Sequence, residues 1–432
     1  MAERREVKHV AKRYLIAIVV AILVVIAAVA CYYVYYQPRP PVVAKEIKIG
    51  LLFSYSGVMA DVGKTQRDGA LLAINEINEA GGLNMPWGKT KVTYVSADDE
   101  TNADVATRRF WELVEKDKVC AVVGSCFAPV VISLNEQSKK AKVVYGEAAA
   151  GLIPIMKKDA RSPYILVPMA YSYSIGYAAA AYSIEQGWKR IYFLSRSDTW
   201  GRDMQNGVLA AIKDLGGELV GLDEAPVGAP DFTSYLLKVK QAKPDVFIFA
   251  QFAADQINVL KQAHAMGLKE VTRVFPAWIT NAVAVGVPPE ALEGVYALHY
   301  FYWNLTGFPD QEYVKQASAY VENYIKAWGY PPDSYATAAY IVTKEILRGI
   351  ELAGSTDADK IIAALESNPQ FMSVKGPGKW RIAHDVEWKY GFFVVQGKGP
   401  AERKGLYDLF KVIGYYTGER GLPSLKELGY QS

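Results

Sequence analysis

"IKIGLLFSYSGVMADVGKTQRDGALLAINEINEAGGL", residues 47–83, decides the fold. Its first seven residues, Ile47 to Phe53, have the length and apolar character of a buried strand. A helical pattern follows from Thr65, with Ala70, Leu71, Ile74 and Ile77 on one face and Gly81 and Gly82 as its stop. Between them, "SGVMADVGKT" nearly spells a phosphate-binding loop. The pattern G-x-x-x-x-G-K-[ST] has one residue fewer than the stretch from Gly57 to Thr65. Successive backbone N–H groups must curl around one phosphate, and the extra residue breaks that curl. Asp61 would also set a negative charge against the anion. The junction reads as a loop that caps a helix and lines a cleft.

The same alternation continues outward. "KVTYVSADD", "CAVVGS" and "VVYG" read as strands, separated by the helices "NADVATRRFWELVEKDK", with Asn102 as its N-cap, and "PVVISLNEQSKKAK". A second series starts after "SPYILVPMA", with strands "RIYFLS", "ELVGLD", "DVFIFAQ" and "VTRVFPAW" between helical runs. Strands alternating with helices predict parallel sheets covered on both faces. Two such series predict an α/β fold of two Rossmann-like lobes. The C-terminal third holds three helical runs and then strands with turns, and is expected to add elements back to both lobes.

At 432 residues the chain is too long for one ordinary core, which also favours two lobes. The net charge is +3, but residues 1–43 carry six basic and two acidic side chains, so residues 44–432 are near neutral at −1. A near-neutral body has no electrostatic footprint for nucleic acid.

"YLIAIVVAILVVIAAVACYYVYY", Tyr14 to Tyr36, has 23 residues and no charge. At about 1.5 Å per residue it can span a hydrocarbon layer of roughly 30 Å. Basic residues precede it, which predicts a cytoplasmic tail over 1–13, an anchor over 14–36, a linker over 37–45 and a body outside the membrane. A cleaved signal peptide and a lipoprotein signal ending in "AVAC" at Cys31 are the other readings. All three export the body to the cell surface or periplasm. Cys120 and Cys126 flank an extended "AVVGS" and would lie too far apart for a bridge, so both are expected as small buried residues. "NLT" at Asn304 fits a glycosylation acceptor.

In open parallel sheets, ligands sit beyond the carboxyl ends of the strands. The loops there are "SYSGVMADVG", "GSCFAP", "YGEAAAG", "SRSDTWG", "AQFAAD" and "FPAWITN". They offer Ser54, Tyr55, Ser125, Cys126, Glu147, Asp198, Trp200, Gln251, Phe252 and Trp278. Small hydroxyls, a few carboxylates and large aromatics suit a compact, partly apolar, uncharged or zwitterionic solute. Taken singly, an aromatic at a strand end is more often a core cap than a ligand wall. Convergence of six loops is what favours a site.

The order and spacing of "IGLLFSYSGVMADVGKTQRDGALLAINEINEAGGL", "VVGSCFAP", "DTWGRDMQNGVLAAIKDLGGELVG", "DFTSYLLKVKQAKPDVFIFAQ" and "LKQAHAMGL" carry a family resemblance. The chain resembles the leucine/isoleucine/valine-binding type of periplasmic amino-acid-binding proteins that serve ABC importers. The resemblance runs from about Ile47 to Gly267 and more loosely to about residue 400. It implies two lobes joined by a three-strand hinge, closing on one solute, over 46–168 with 302–378 and over 169–301 with 379–432. It implies ligand walls at Val62, Ser125, Cys126, Phe127, Ala128, Ala148, Ala150, Trp200 and Phe252, beside Tyr55 and Glu147. It implies an ABC permease and its ATPase subunits as partners, and no cofactor.

Some positions depart from that pattern. The family holds the amino-acid carboxylate with Ser and Thr hydroxyls, and Ala128 and Ala150 take those places. Its ammonium-binding carboxylate aligns near Trp278, whose ring face can hold a cation for about 0.5–2 kcal/mol. Glu147 could supply the charge from another loop, or could be a structural carboxylate. Amides and other small organic solutes therefore stay open beside amino acids.

An enzyme is disfavoured. The four histidines, His9, His264, His299 and His384, do not cluster, no HExxH metal spacing occurs, and no GxSxG elbow is present. The stronger rival is a receptor ectodomain of the same fold, although only about 13 residues precede the anchor.

Overall fold

The structure is a computed structural model that describes residues 18–30, 32 and 46–431. It divides into two compact units, Met1–Lys45 and Glu46–Ser432. In the first unit, residues 18–30 are helical. Among the described residues, no helix is long and apolar enough to cross a membrane. The expected anchor over 14–36 lies partly outside them, as do the tail over 1–13 and the linker over 37–45.

The second unit starts with β1 (Ile47–Phe53), in which every residue except Lys48 is buried. Such a run, apolar on both faces, marks the interior of a parallel sheet. A small antiparallel hairpin, β2 (Leu83–Met85) with β3 (Gly88–Thr90), follows. Then come β4 (Val92–Asp98), β5 (Ala121–Gly124), β6 (Val144–Glu147) and β7 (Ile165–Leu166). The resulting sheet is parallel throughout, in the order β4-β1-β5-β6-β7. A second parallel sheet joins β8 (Arg190–Arg196), β9 (Glu218–Ala225), β10 (Val246–Phe249) and β11 (Arg273–Pro276) in the order β11-β10-β8-β9. These two sheets with their helices are the two lobes expected from the alternating pattern.

The C-terminal third contributes further helices and strands. β12 (Tyr296–His299) leads into the helices Gln311–Trp328, Ser334–Ala353 and Ala358–Ser367. A small sheet of β13 (Gln370–Ser373), β14 (Gly376–Trp380) and β15 (Val386–Trp388) follows. β16 (Phe392–Gly397) then returns to pair antiparallel with β12, and β17 (Phe410–Tyr416) pairs antiparallel with β16. The Ser334–Ala353 helix lies along the Ala60–Glu79 helix. The two backbones come so close that a Cβ on Gly69 would sit 2.0 Å from the Ala336 carbonyl oxygen.

Segments from three distant parts of the chain meet between β7 and the second sheet's helices. The Val167 amide donates to the His384 carbonyl at 2.9 Å. The Pro168 carbonyl accepts from Tyr300 Oη at 3.1 Å and from Trp388 Nε1 at 2.7 Å. These bonds gather the stretches around 168, 300 and 385–388.

Local expectations largely match. Asn102 caps its helix, its side chain accepting from the Asp104 and Val105 amides. Cys120 and Cys126 are free thiols, both half-buried. One boundary differs. The first helix spans Ala60–Glu79, so most of the near-phosphate stretch is its first turn and not loop. The reason is local: Gly63 lets the turn press on β1, where a Cβ would meet the Ser54 carbonyl oxygen at 1.9 Å. That turn, opening with Asp61, has no curl for a phosphate.

Candidate functional site

The ends of β1, β4 and β5 are tied together by one carboxylate. Ser54 Oγ donates to Asp99 Oδ1 at 2.6 Å, Ser125 Oγ donates to Asp99 Oδ2 at 2.5 Å, and the Thr101 amide donates to Oδ1 at 2.8 Å. Asp99 is fully buried, and burial pushes its pKa up while the two serines and Thr101 pull it back. Gln66, on the first helix, fastens the next loop. Its Nε2 donates to the Ala148 carbonyl at 2.8 Å and to the Ser125 carbonyl at 3.3 Å.

The second sheet presents a different chemistry. Asp198 caps the Thr199–Leu215 helix by accepting from the Gly201 amide at 2.8 Å. Arg196, the last residue of β8, donates through Nη2 to Asp198 Oδ2 at 2.5 Å. Its guanidinium stands 4.5 Å from the centroid of the Trp200 ring. Gln256 Nε2 braces the neighbouring loops, donating to the Trp278 carbonyl at 2.6 Å and the Gln251 carbonyl at 3.1 Å.

A row of rings joins the two lobes. Trp200 and Phe252 have centroids 6.2 Å apart, Phe252 and Tyr335 6.0 Å, and Tyr335 and Trp278 6.1 Å. Trp200, Phe252 and Trp278 follow the strands of the second sheet. Tyr335 belongs to the helix that packs on Ala60–Glu79, beside the first sheet. Asp333 positions it as N-cap, accepting from the Tyr335 amide at 3.0 Å and the Ala336 amide at 2.8 Å. Burial raises the Asp333 carboxyl to about 6. Burial also pushes the Cys126 thiol up, with Asp99 and Asp333 adding to it and Arg196 opposing. Cys126, Asp333, Tyr335 and Arg196 therefore share one space between the strand ends of both sheets.

A recess of about 220 Å³ opens at its edge, lined by Asp61, Lys64 and Thr65 from the opening stretch and by Asn281, Tyr330 and Asp333. The amide of Asn281 is buried there with neither its oxygen nor its nitrogen hydrogen-bonded. The start of the first helix, expected as a loop, thus lines this recess. A wider groove of about 770 Å³ lies on β13, β14 and β15, and none of the strand-end loops lines it.

The site residues expected from sequence divide into groups. Trp200, Phe252 and Trp278 come together in the ring row, and Cys126 faces the same space. Ser125 is spent on Asp99, and Ala148 serves through its backbone. Val62 and Ala128 are buried within helices, Phe127 is the half-buried N-cap residue of Ala128–Ala141, and Ala150 bridges to Met169. Tyr55 packs at 6.4 Å on Phe53 and beneath Arg67, which is 6.0 Å from its ring centre. Glu147 is fully buried with both carboxyl oxygens unpartnered, and burial alone pushes its pKa well above the ordinary range. Sequence reasoning missed Arg196, Asp333, Tyr335 and Asn281. Arg196 was visible in "SRSDTWG", but Tyr335 arrives from a helix some 80 residues beyond β10 in the chain.

The likeness to known proteins covers nearly all of the second unit. The family described as periplasmic binding protein matches residues 46–401. An amino acid binding protein of Pseudomonas aeruginosa is 24% identical over 354 residues, 79% of this chain and 88% of its own. An amino acid ABC transporter substrate-binding protein from Pseudomonas fluorescens superposes with a TM-score of 0.78 at 22% identity, covering 90% of this chain and 100% of its own. A solute-binding protein of an ABC transporter from R. palustris, solved with benzoate, superposes with a TM-score of 0.72 at 21% identity, covering 86% of this chain and 96% of its own. With two parallel sheets facing each other across a ring-lined cleft and a match over nearly all of the second unit, the chain belongs to the periplasmic binding protein family, whose members bind and do not catalyse.

Proposed function

We propose that this protein is the extracytoplasmic solute-binding component of an ABC importer. It captures a small amino acid or related small organic solute between its lobes and hands it to a membrane permease. The observation that carries this reading is the ring row Trp200–Phe252–Tyr335–Trp278, in which side chains of both lobes converge on one space. A solute contacting both walls makes its full set of contacts only when they are close, so it shifts the equilibrium towards the closed form. The stretches joined around Pro168, Tyr300 and Trp388 are the natural pivot, with lobes over 46–168 with 302–378 and 169–301 with 379–432. The uncharged run over 14–36, preceded by basic residues, supports export of the body and anchoring at the membrane.

A thermal-shift screen of the purified chain against amino acids, amides and small carboxylic acids tests the reading. At least one class is expected to raise the melting temperature in a saturable way, and the solute should be recovered unchanged. A chain that no small solute stabilises, or one that converts its ligand, would overturn it.

A further inference from the structure

We propose that the recess beside the ring row is a second subsite of the cleft, that it takes an uncharged primary carboxamide at the far end of the solute, and that Asn281 reads that group. The proposal rests on the solute-binding reading above and deepens it by naming one group of the solute.

Asn281 opens the short helix Asn281–Ala284, just past Trp278 in the chain. It is only 3% exposed, yet neither its Oδ1 nor its Nδ2 has a hydrogen-bond partner. A buried donor and acceptor left unmet cost free energy, and nothing in the fold offsets that cost. The side chain lines the recess of about 220 Å³. The other wall comes from the first lobe. Asp61, Lys64 and Thr65 stand on the Ala60–Glu79 helix, and Tyr330 and Asp333 lead into the Ser334–Ala353 helix. Asp333 caps the helix that carries Tyr335, and Tyr335 meets Trp278 edge to face. The recess therefore continues the space at that end of the ring row.

Its donors and acceptors select among ligand groups. An amide side chain presents one acceptor oxygen and two N–H donors. Whichever way it is turned, a partner that satisfies both sides must offer a donor beside an acceptor. Asp333 adds a further acceptor. Its Oδ1 accepts from the Tyr335 and Ala336 amides, while Oδ2 has only Thr65 Oγ1 at 3.4 Å. The carboxyl titrates at about 6, so at neutral pH it is ionised. Asp61 brings a second carboxylate, and Lys64, its Nζ 5.0 Å from the centre of the Tyr330 ring, brings one cation. A ligand carboxylate has no donor for Asn281 Oδ1 and would meet two like charges. An ammonium has no acceptor for Asn281 Nδ2. A primary carboxamide pairs with Asn281 through its carbonyl and one N–H, and its second N–H suits Asp333 Oδ2.

The test uses two sets of matched solutes on the full chain. One is L-glutamine, L-glutamate and L-homoleucine, which differ only at the far end. The other is 3-phenylpropanamide, 3-phenylpropanoate and 3-phenylpropylamine, whose ring suits the ring row. Calorimetry is expected to show, in at least one set, the carboxamide binding at least about tenfold more tightly than both of its companions. Asn281→Leu should abolish that preference. Without solute this variant should melt no lower than the wild type, because the Asn281 side chain has no hydrogen bonds to lose. In Asn281→Asp the preference should pass from the amide to the amine. Circular dichroism verifies folding of both variants. If the aspartate variant does not fold, the wild-type preferences and the leucine variant still decide. Carboxamides that in neither set exceed their companions overturn the proposal, as does a preference unchanged in a folded variant. An Asn281→Leu protein that melts lower and loses affinity for every solute alike overturns it too. Failure of both sets while another solute stabilises the chain overturns it and leaves the solute-binding reading intact. Failure of every solute in the wider screen overturns both.

Discussion

Tyr335 and Trp278 meet edge to face, with ring centroids 6.1 Å apart and planes inclined at 73°, although they stand on opposite lobes. Tyr335 is 5% exposed and Trp278 1%. Edge-to-face pairs contribute about 0.5–1.5 kcal/mol beyond their buried area. Under the lobe closure proposed above, this contact forms as the lobes approach and would serve both as a wall of the cleft and as a latch.

Tyr335→Ala should therefore weaken solute binding and shift the solute-free protein towards an open form. A loss of about tenfold or more in affinity is expected, because the ring is also a central, desolvated contact. Calorimetry reads the affinity and small-angle scattering reads the opening. Unchanged values in both would remove Tyr335 from the site.

Trp200→Ala should also cost at least about tenfold in affinity, since the ring both faces the cleft and carries the Arg196 guanidinium at 4.5 Å. The fold should survive, because Asp198 still caps the Thr199–Leu215 helix. A melting curve with intact cooperativity beside weakened binding is the expected pair of results.

Asp333 predicts a pH effect with a definite sign. Its carboxyl titrates at about 6 in the fold, against about 4 in an unfolded chain. Between these values the folded state holds the proton and the unfolded state has lost it. Stability from this group is thus fully present below about pH 4 and falls as pH rises through about 6. Asparagine keeps the helix cap but cannot ionise. Asp333→Asn should gain on the wild type by an amount on the order of 2 kcal/mol between pH 4 and pH 7 in urea titrations. A constant difference between the two proteins across that range would refute the assignment.

Gly69→Ala tests the contact between the two long helices of the first lobe. The new methyl would lie 2.0 Å from the Ala336 carbonyl oxygen, which is backbone and cannot rotate away. Overpacking of this kind costs about 1–3 kcal/mol. A urea midpoint lowered with an unchanged slope is expected. Because Ala336 adjoins Tyr335, affinity should fall as well.

Much of this architecture was readable from short stretches. Strand–helix alternation is a local property, set by burial on both faces of β1 and β5 and by caps such as Asn102. It yielded two parallel-sheet lobes and the strand ends at which to look for a site. It also singled out Trp200, Phe252 and Trp278, which the structure brings into one row of rings past the strand ends of one sheet. Two local readings went astray for physical reasons. The first helix begins at Ala60, earlier than its apolar periodicity, because Gly63 permits close contact with β1. Ser125 looked like a ligand hydroxyl, but it donates its hydrogen bond to Asp99, 26 residues away in sequence.

By itself, then, the sequence determined the class of fold, the order of its elements and the aromatic character of the strand-end loops, because these depend on neighbours along the chain. Only the tertiary structure decided which groups face each other. Tyr335 and Asp333 reach the cleft because the C-terminal third returns to the first lobe. The Glu147 pKa is pushed up, and Arg196 Nε stays unpartnered, because burial and pairing are set by residues brought together in space.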